Sequence, residues 1–238
     1  MAYRTQIVTA IPERAVSMKT VYLSESAYPE LKTMLSECGY EVRIILKSDA
    51  LYSQVSDHPD MYMCKLGVRP EDEILMAEPE ELGHDYPQDI AFNAVCLDKY
   101  FIHNLKHTSA RLLDAVEKCG KTLINVSQGY TKCSTVVVDG SSVITEDNGI
   151  YRILSEYADI SVLKIDAGYV ELPGFDYGFI GGASGKVGDT VVFNGDLSKH
   201  PQFERVKGFI EDRGLNLKWI AGKKLWDIGS IIEFDDGE

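Results

Sequence analysis

The chain has no CxxC pair and no even set of cysteines. Its five, Cys38, Cys64, Cys96, Cys119 and Cys133, are scattered. That pattern argues against a disulfide framework and against a zinc ribbon. Each cysteine reads first as a small buried hydrophobe, and a reducing cytoplasm is the natural compartment. No apolar run is long enough to span a bilayer, and the opening MAYRTQIVTAIPERA lacks the apolar stretch of a signal peptide. Positive charge is scarce: 24 Lys and Arg stand against 37 Asp and Glu, for a net charge of -13. An acidic surface repels nucleic acid and anionic membranes, so neither is expected as a partner. A cationic substrate is compatible with it. The glycine-rich stretch Gly181–Gly185 lies between strands, not before a helix, so the dinucleotide and phosphate-loop fingerprints fail. Its plainer reading is a hairpin or bulge. No cofactor and no metal are called for. His58, Asp60 and Cys64 share strand parity, but no second His or Cys pair has ligand spacing.

What is present is a layout of repeated elements across one domain, residues 1–238. The stretch Gln128–Asp147, QGYTKCSTVVVDGSSVITED, predicts a hairpin of Ser134–Val138 and Ser142–Thr145 about Asp139-Gly140, whose turn residues tolerate left-handed φ. A helix from Asn148, capped by Asp147 or Asn148, and a strand Ser161–Ile165 follow. The same order is read at Asp89–Leu97, Tyr100–His103, a helix Leu105–Cys119 and Thr122–Val126. It recurs at Gly178–Ile180, Thr190–Phe193, a helix Pro201–Arg213 and Leu215–Ile220. The first unit has Val21–Leu23, a helix with Pro29 and Glu30 in its first turn, capped by Ser24 or Ser26, and Val42–Leu46. A unit without a helix joins a strand His58–Leu66 to Glu73–Ala77. Glu78–Pro87 reads as an acidic connecting loop. Helix ends before a return strand recur at spacings of about 80, 40 and 55 residues. The lone C-terminal strand Asp227–Phe234, followed by an acidic tail, can pair with Val21–Leu23. That pairing closes a ring of five units with no open edge. The competing reading is an ordinary open α/β sheet.

Five ββαβ units in a ring resemble the pentein, or guanidino-modifying-enzyme, fold, a five-bladed α/β propeller with pseudo-fivefold closure. The segments QGYTKCS, YPQDIAFNA, LPGFDYGFIGGASG and DIGSIIEF are similar to an uncharacterised bacterial family assigned to that fold. The resemblance implies a late Cys nucleophile, here Cys133 in KCST, and a His opening an earlier unit as HxD, here His58-Pro59-Asp60. It implies a hydrolase, deiminase or amidinotransferase acting on a small guanidino or amidino molecule. The Glu-Gly-Gly-Asp segment of the deiminases has no clear counterpart, which leaves the second substrate carboxylate open.

The residue types suit that chemistry. A resonance-stabilised guanidinium carbon needs a thiolate as attacking group. A His of near-neutral pKa can protonate the departing amine and then activate water. Carboxylates pair with the planar cation. Strand parity puts His58 and Asp60 on one face. Cys133 is the expected nucleophile, His58 the acid/base, and Asp60 a partner of substrate or of His58. Asp89 and Asp227 open the first strands of other units and, with Asn93, are the expected substrate contacts. Against this, Cys133 reads equally as a core cysteine, HPD as a turn with Pro59 fixing the chain, and Asp89 and Asp227 as structural. His84, His103 and His107 are expected to be solvated, and His200-Pro201 to begin a helix. The alternative function is a non-catalytic binding module, since the same fold serves as a ribosome anti-association factor. That module needs no Cys and His in contact. The oligomeric state is not legible in the sequence.

Overall fold

The computed structural model describes residues 19–235. The segment inspected for a signal peptide and the last three residues of the acidic tail lie outside them. The chain forms a mixed α/β structure whose strands divide into small sheets of two or three, without one closed barrel among the described residues.

In chain order the elements are β1 (Lys19–Ser24), α1 (Pro29–Glu37) and β2 (Glu41–Ile45), then α2 (Pro59–Tyr62), β3 (Met63–Lys65) and β4 (Ile74–Met76). Next come β5 (Val95–Cys96), β6 (Tyr100–His103), α3 (Ala110–Lys118) and β7 (Thr122–Asn125). They are followed by β8 (Thr135–Asp139), β9 (Ser142–Thr145), α4 (Asn148–Leu154), β10 (Ser161–Lys164) and β11 (Val170–Glu171). The last are β12 (Ser184–Val187), β13 (Thr190–Phe193), α5 (Phe203–Glu211), β14 (Asn216–Trp219), β15 (Leu225–Trp226) and β16 (Ile232–Asp235).

One pattern recurs. An antiparallel pair leads through a helix to a third strand parallel to the second: β5-β6-α3-β7, β8-β9-α4-β10 and β12-β13-α5-β14. The chain ends complete a fourth copy, because β16 pairs antiparallel with β1 at Tyr22↔Ile232 and β1 runs parallel to β2. The pair β3-β4 has no helix or third strand. Each long helix buries an i, i+4 pair: Leu31 and Leu35, Leu112 and Val116, Ile150 and Leu154, Val206 and Ile210. Ser109 and Asp147 cap α3 and α4 by accepting the N–H of Leu112 and of Ile150. Gly39, Gly120 and Gly214 follow α1, α3 and α5 with left-handed φ.

The core lies between neighbouring copies. Val136 and Ile144 pack with Phe193, Val206 and Ile210, and Val21, Leu31 and Leu35 pack with Val187 and Val192. Phe101 and Leu112 pack with Cys64, and Ile102 and Ile124 with Val143, Ile150 and Leu154. Full burial of each such side chain contributes about 2 kcal/mol.

Several expected elements differ. His58–Leu66 is not one strand: Pro59–Tyr62 is a helical turn and only Met63–Lys65 is extended. Pro59 lacks an N–H and suits the first helical position. Of the strand expected at Asp89–Leu97, Asp89–Phe92 is a series of turns and only Val95–Cys96 is a strand, and Leu105–His107 is a separate 3-10 turn before α3. The strand expected at Gly178–Ile180 lies instead at Ser184–Val187, where Ile231 runs alongside so closely that a Cβ on Gly185 would strike its carbonyl oxygen. The Asp139↔Ser142 pairing puts Gly140-Ser141 at the hairpin tip, and neither has left-handed φ. The Asp139 carboxylate instead accepts the Ser141 N–H (2.8 Å). Ser24 and Ser26 do not cap α1; their hydroxyls donate to Asp57 Oδ2, both at 2.6 Å. Of the Asp227–Phe234 strand, only the end from Ile232 is extended, and β15 pairs with β11. The helix after His200 begins at Phe203.

Candidate active site

Cys133 sits in the turn that leads into β8, and Asn93 fixes it there. The Asn93 side-chain oxygen accepts the N–H of Lys132 (2.9 Å) and of Cys133 (3.2 Å), and its amide donates to Cys133 Sγ (3.3 Å). His58 stands immediately before α2, and Asp60 lies inside it. A helical turn, not strand parity, brings these two side chains together. The ligand atoms of His58, Asp60 and Cys133 all lie within 4.8 Å of one another. The Cys133 thiol donates to Asp60 Oδ2 (3.1 Å). All three residues are buried.

Segment Asp227–Ile231 closes the cluster. Asp227 Oδ1 lies 3.9 Å from His58 Nδ1 and accepts the Gly229 N–H (3.0 Å), while its Oδ2 accepts the Phe179 N–H (2.9 Å). Gly229 returns its carbonyl to the Asp60 N–H (3.1 Å). A Cβ on Gly229 would overlap His58, and one on Gly182 would fall on the Asp227 carboxylate. Ser230 is the only non-glycine among the described residues with left-handed φ, at 72°. That unfavourable backbone aims its hydroxyl at Asp60 Oδ2 (2.7 Å), where it also accepts from Lys132 Nζ (2.9 Å). Neither Ser230 nor Lys132 stood out in the sequence. Lys132 adjoins Cys133, and that adjacency is the one available signal.

Electrostatics follow from burial. Burial pushes the Cys133 thiol well above its ordinary pKa, and the neighbouring Asp60 and Asp227 add to the shift. Burial also raises Asp227, against the favourable charge of His58. The Lys132 ammonium is lowered by burial and supported by Asp60. His58 Nδ1 and Asp60 Oδ1 have no hydrogen-bond partner.

A cavity of about 110 Å³ opens above Cys133, His58 and Asp227. Its walls are mainly aromatic: Tyr52, Tyr130, Phe175, Tyr177 and Phe179. Among the described residues no Lys or Arg lines it. Phe175 and Tyr177 are exposed at its rim. Asp60 faces a separate, smaller cavity shared with Cys64, Cys96 and Lys132. Asp89 lies behind the wall, accepting from Tyr130 OH (2.7 Å), whose oxygen in turn meets Tyr52 OH (2.8 Å). Cys133, His58, Asp60 and Asp227 therefore converge, Asn93 holds the thiol, and Asp89 supports the aromatic wall.

The other histidines divide. His84 is exposed and His107 half-buried. His103, expected in solvent, is fully buried, with Nδ1 at Thr108 Oγ1 (2.7 Å) and Nε2 at the Gly129 carbonyl (3.2 Å). Burial lowers its pKa to about 4.

Glu146 is a buried carboxyl beside this site. It accepts the Ile180 N–H (3.1 Å), and burial raises its pKa to about 8, with Asp227 adding to the rise and Lys164 opposing it. A carboxyl whose pKa is raised on folding stabilises the fold while protonated, and that contribution is lost as pH rises through the folded value. Between about pH 4.3, the unfolded value, and pH 8, wild type should therefore lose stability relative to Glu146→Gln by about 1.4 kcal/mol per pH unit. Urea titrations of both proteins at several pH values check this. Taking the difference cancels the opposite contribution of His103.

Residues 69–232, more than half of the chain, match the family of unknown function DUF6873. The chain belongs to that family. Comparison with curated proteins and with solved structures returns no match.

Proposed function

We propose that this family member is a cysteine-dependent enzyme of the guanidino-modifying type, acting on a small amidinium or guanidinium compound. The observation that carries the reading is Cys133 with His58 and Asp227 at the floor of an aromatic cavity, while Asp60, facing the neighbouring cavity, accepts from the same thiol. Two buried carboxylates favour a planar cation, and aromatic walls suit one electrostatically. Cys133 and His58, with donor atoms within 4.8 Å of each other, favour an enzyme over a binding module. The same reading takes the four strand-strand-helix-strand copies, one of them completed by the β1-β16 pairing, and the shorter β3-β4 pair as the five blades of a pentein propeller.

In this mechanism the bound cation offsets the two carboxylates and lowers the cost of ionising Cys133. His58 takes the Cys133 S–H proton, and the resulting thiolate adds to the amidinium carbon. His58 gives a proton to the departing amine, and the carbon–nitrogen bond breaks to leave an S-linked amidino group on Cys133. His58 then takes a proton from water or an acceptor amine, which attacks the same carbon and releases the thiolate. The test is amine or ammonia release from a panel of guanidines and amidines. Turnover should fall at least about a hundredfold in Cys133→Ala and in His58→Ala. Equal turnover in Cys133→Ala would reject the reading.

A further inference from the structure

We infer that the His58–Asp60–Cys133 cluster is also a binding site for one zinc-like divalent cation, with water as the fourth ligand. The donor set is one thiol, one imidazole and one carboxylate, which matches the borderline-soft preference of Zn²⁺. A tetrahedral zinc ion holds its ligands about 3.3–3.8 Å apart. Here Cys133 Sγ and Asp60 Oδ2 are 3.1 Å apart, His58 Nδ1 and Asp227 Oδ1 are 3.9 Å apart, and the His58, Asp60 and Cys133 donors all fall within 4.8 Å.

An independent observation points to a ligand at this place. His58 Nδ1 and Asp60 Oδ1 are buried polar atoms without partners, on residues only 2% and 1% exposed. Leaving such atoms unpaired is unfavourable, and a metal ion would satisfy them. The supporting contacts are in place. Asn93 donates to the sulfur, Ser230 donates to Asp60 Oδ2, and both Asp227 oxygens are held by backbone N–H groups. Such outer contacts orient ligands. On binding, the S–H bond breaks, sulfur donates its pair to the metal, and the proton leaves to solvent.

The inference stands on donor geometry and not on amidine chemistry. Zinc binding without amidine turnover, or turnover without zinc binding, separates the two.

The test uses the full chain with Cys38 and Cys119, the exposed cysteines, changed to Ser. Equilibrium dialysis against zinc chloride should give one ion per chain. Stoichiometric uptake should be lost in Cys133→Ala and in His58→Ala and kept in Cys64→Ala. Cys133→Ser, close to isosteric, should weaken binding at least tenfold. X-ray absorption of the zinc-loaded protein, which needs no site variant, should show a single sulfur with nitrogen and oxygen ligands. No uptake, unchanged uptake in a folded Cys133→Ala protein, or two sulfurs at the metal would overturn the proposal. The last outcome would place the ion at Cys64 and Cys96.

Discussion

Alkylation by 2-chloroacetamidine should modify Cys133 at least about tenfold faster, relative to the exposed Cys38 and Cys119, than alkylation by the neutral 2-chloroacetamide does. Size and leaving group are matched, so charge decides. Cys133 is 2% exposed, and Asp60 and Asp227 disfavour its thiolate. A neutral reagent meets a protonated, shielded thiol and prefers the surface cysteines. A cationic reagent brings the charge that the two carboxylates lack. One such pairing at about 4 Å is worth about 4 kcal/mol at an effective dielectric of 20, before desolvation is subtracted. Even a small residue of that energy yields tenfold. The preference should shrink in Asp227→Asn, which removes the charge and keeps one of the two accepting oxygens. Peptide mapping after timed alkylation reads both results. An unchanged Cys133 to Cys38 ratio between the two reagents would remove the electrostatic basis of the proposed function.

Replacing Asp60 by Ala should destabilise the protein by about 3–5 kcal/mol, the cost of leaving one partner of a buried polar network unmatched. Asp60 accepts from both Cys133 and Ser230, and Ser230 in turn accepts from Lys132 Nζ. Without the carboxylate, a desolvated ammonium loses its first-ranked stabilising charge. Lys132→Met should therefore recover part of the loss in the Asp60→Ala background, though it destabilises wild type. Urea unfolding of the two single variants and the double variant gives the coupling. Additive effects would mean that Lys132 and Asp60 do not share a network.

The repeated layout was legible because it rests on strong local signals: i, i+4 apolar pairs, side-chain caps, and glycines after helices. The β1-β16 pairing followed from two unpartnered ends. The centre was harder to read. Cys133 and His58 could be named, but the route that joins them was misread. A four-residue helix at Pro59–Tyr62 is too short to show a helical period, so HPDMYMCKL looked extended. Ser230 could not be found, since no pattern announces left-handed φ at a serine. The conformation is imposed by Gly182, whose carbonyl accepts the N–H of both Ile228 and Ser230. Likewise Gly181–Gly185 showed flexibility in the sequence, whereas the fold uses those glycines for close approach to Asp227 and Ile231. His103 looked solvated at a strand end because its partners, Thr108 and Gly129, come from neighbouring loops.

The central claim is that Cys133 becomes covalently bonded to the carbon of an amidinium substrate. The most direct measurement is mass spectrometry of the protein quenched in acid during turnover of a guanidine or amidine. The account predicts an added amidino mass on the peptide that carries Cys133, absent in Cys133→Ala and formed far more slowly in His58→Ala, which lacks the acid that expels the amine. Turnover with no adduct on Cys133, or an adduct on another cysteine, would contradict it.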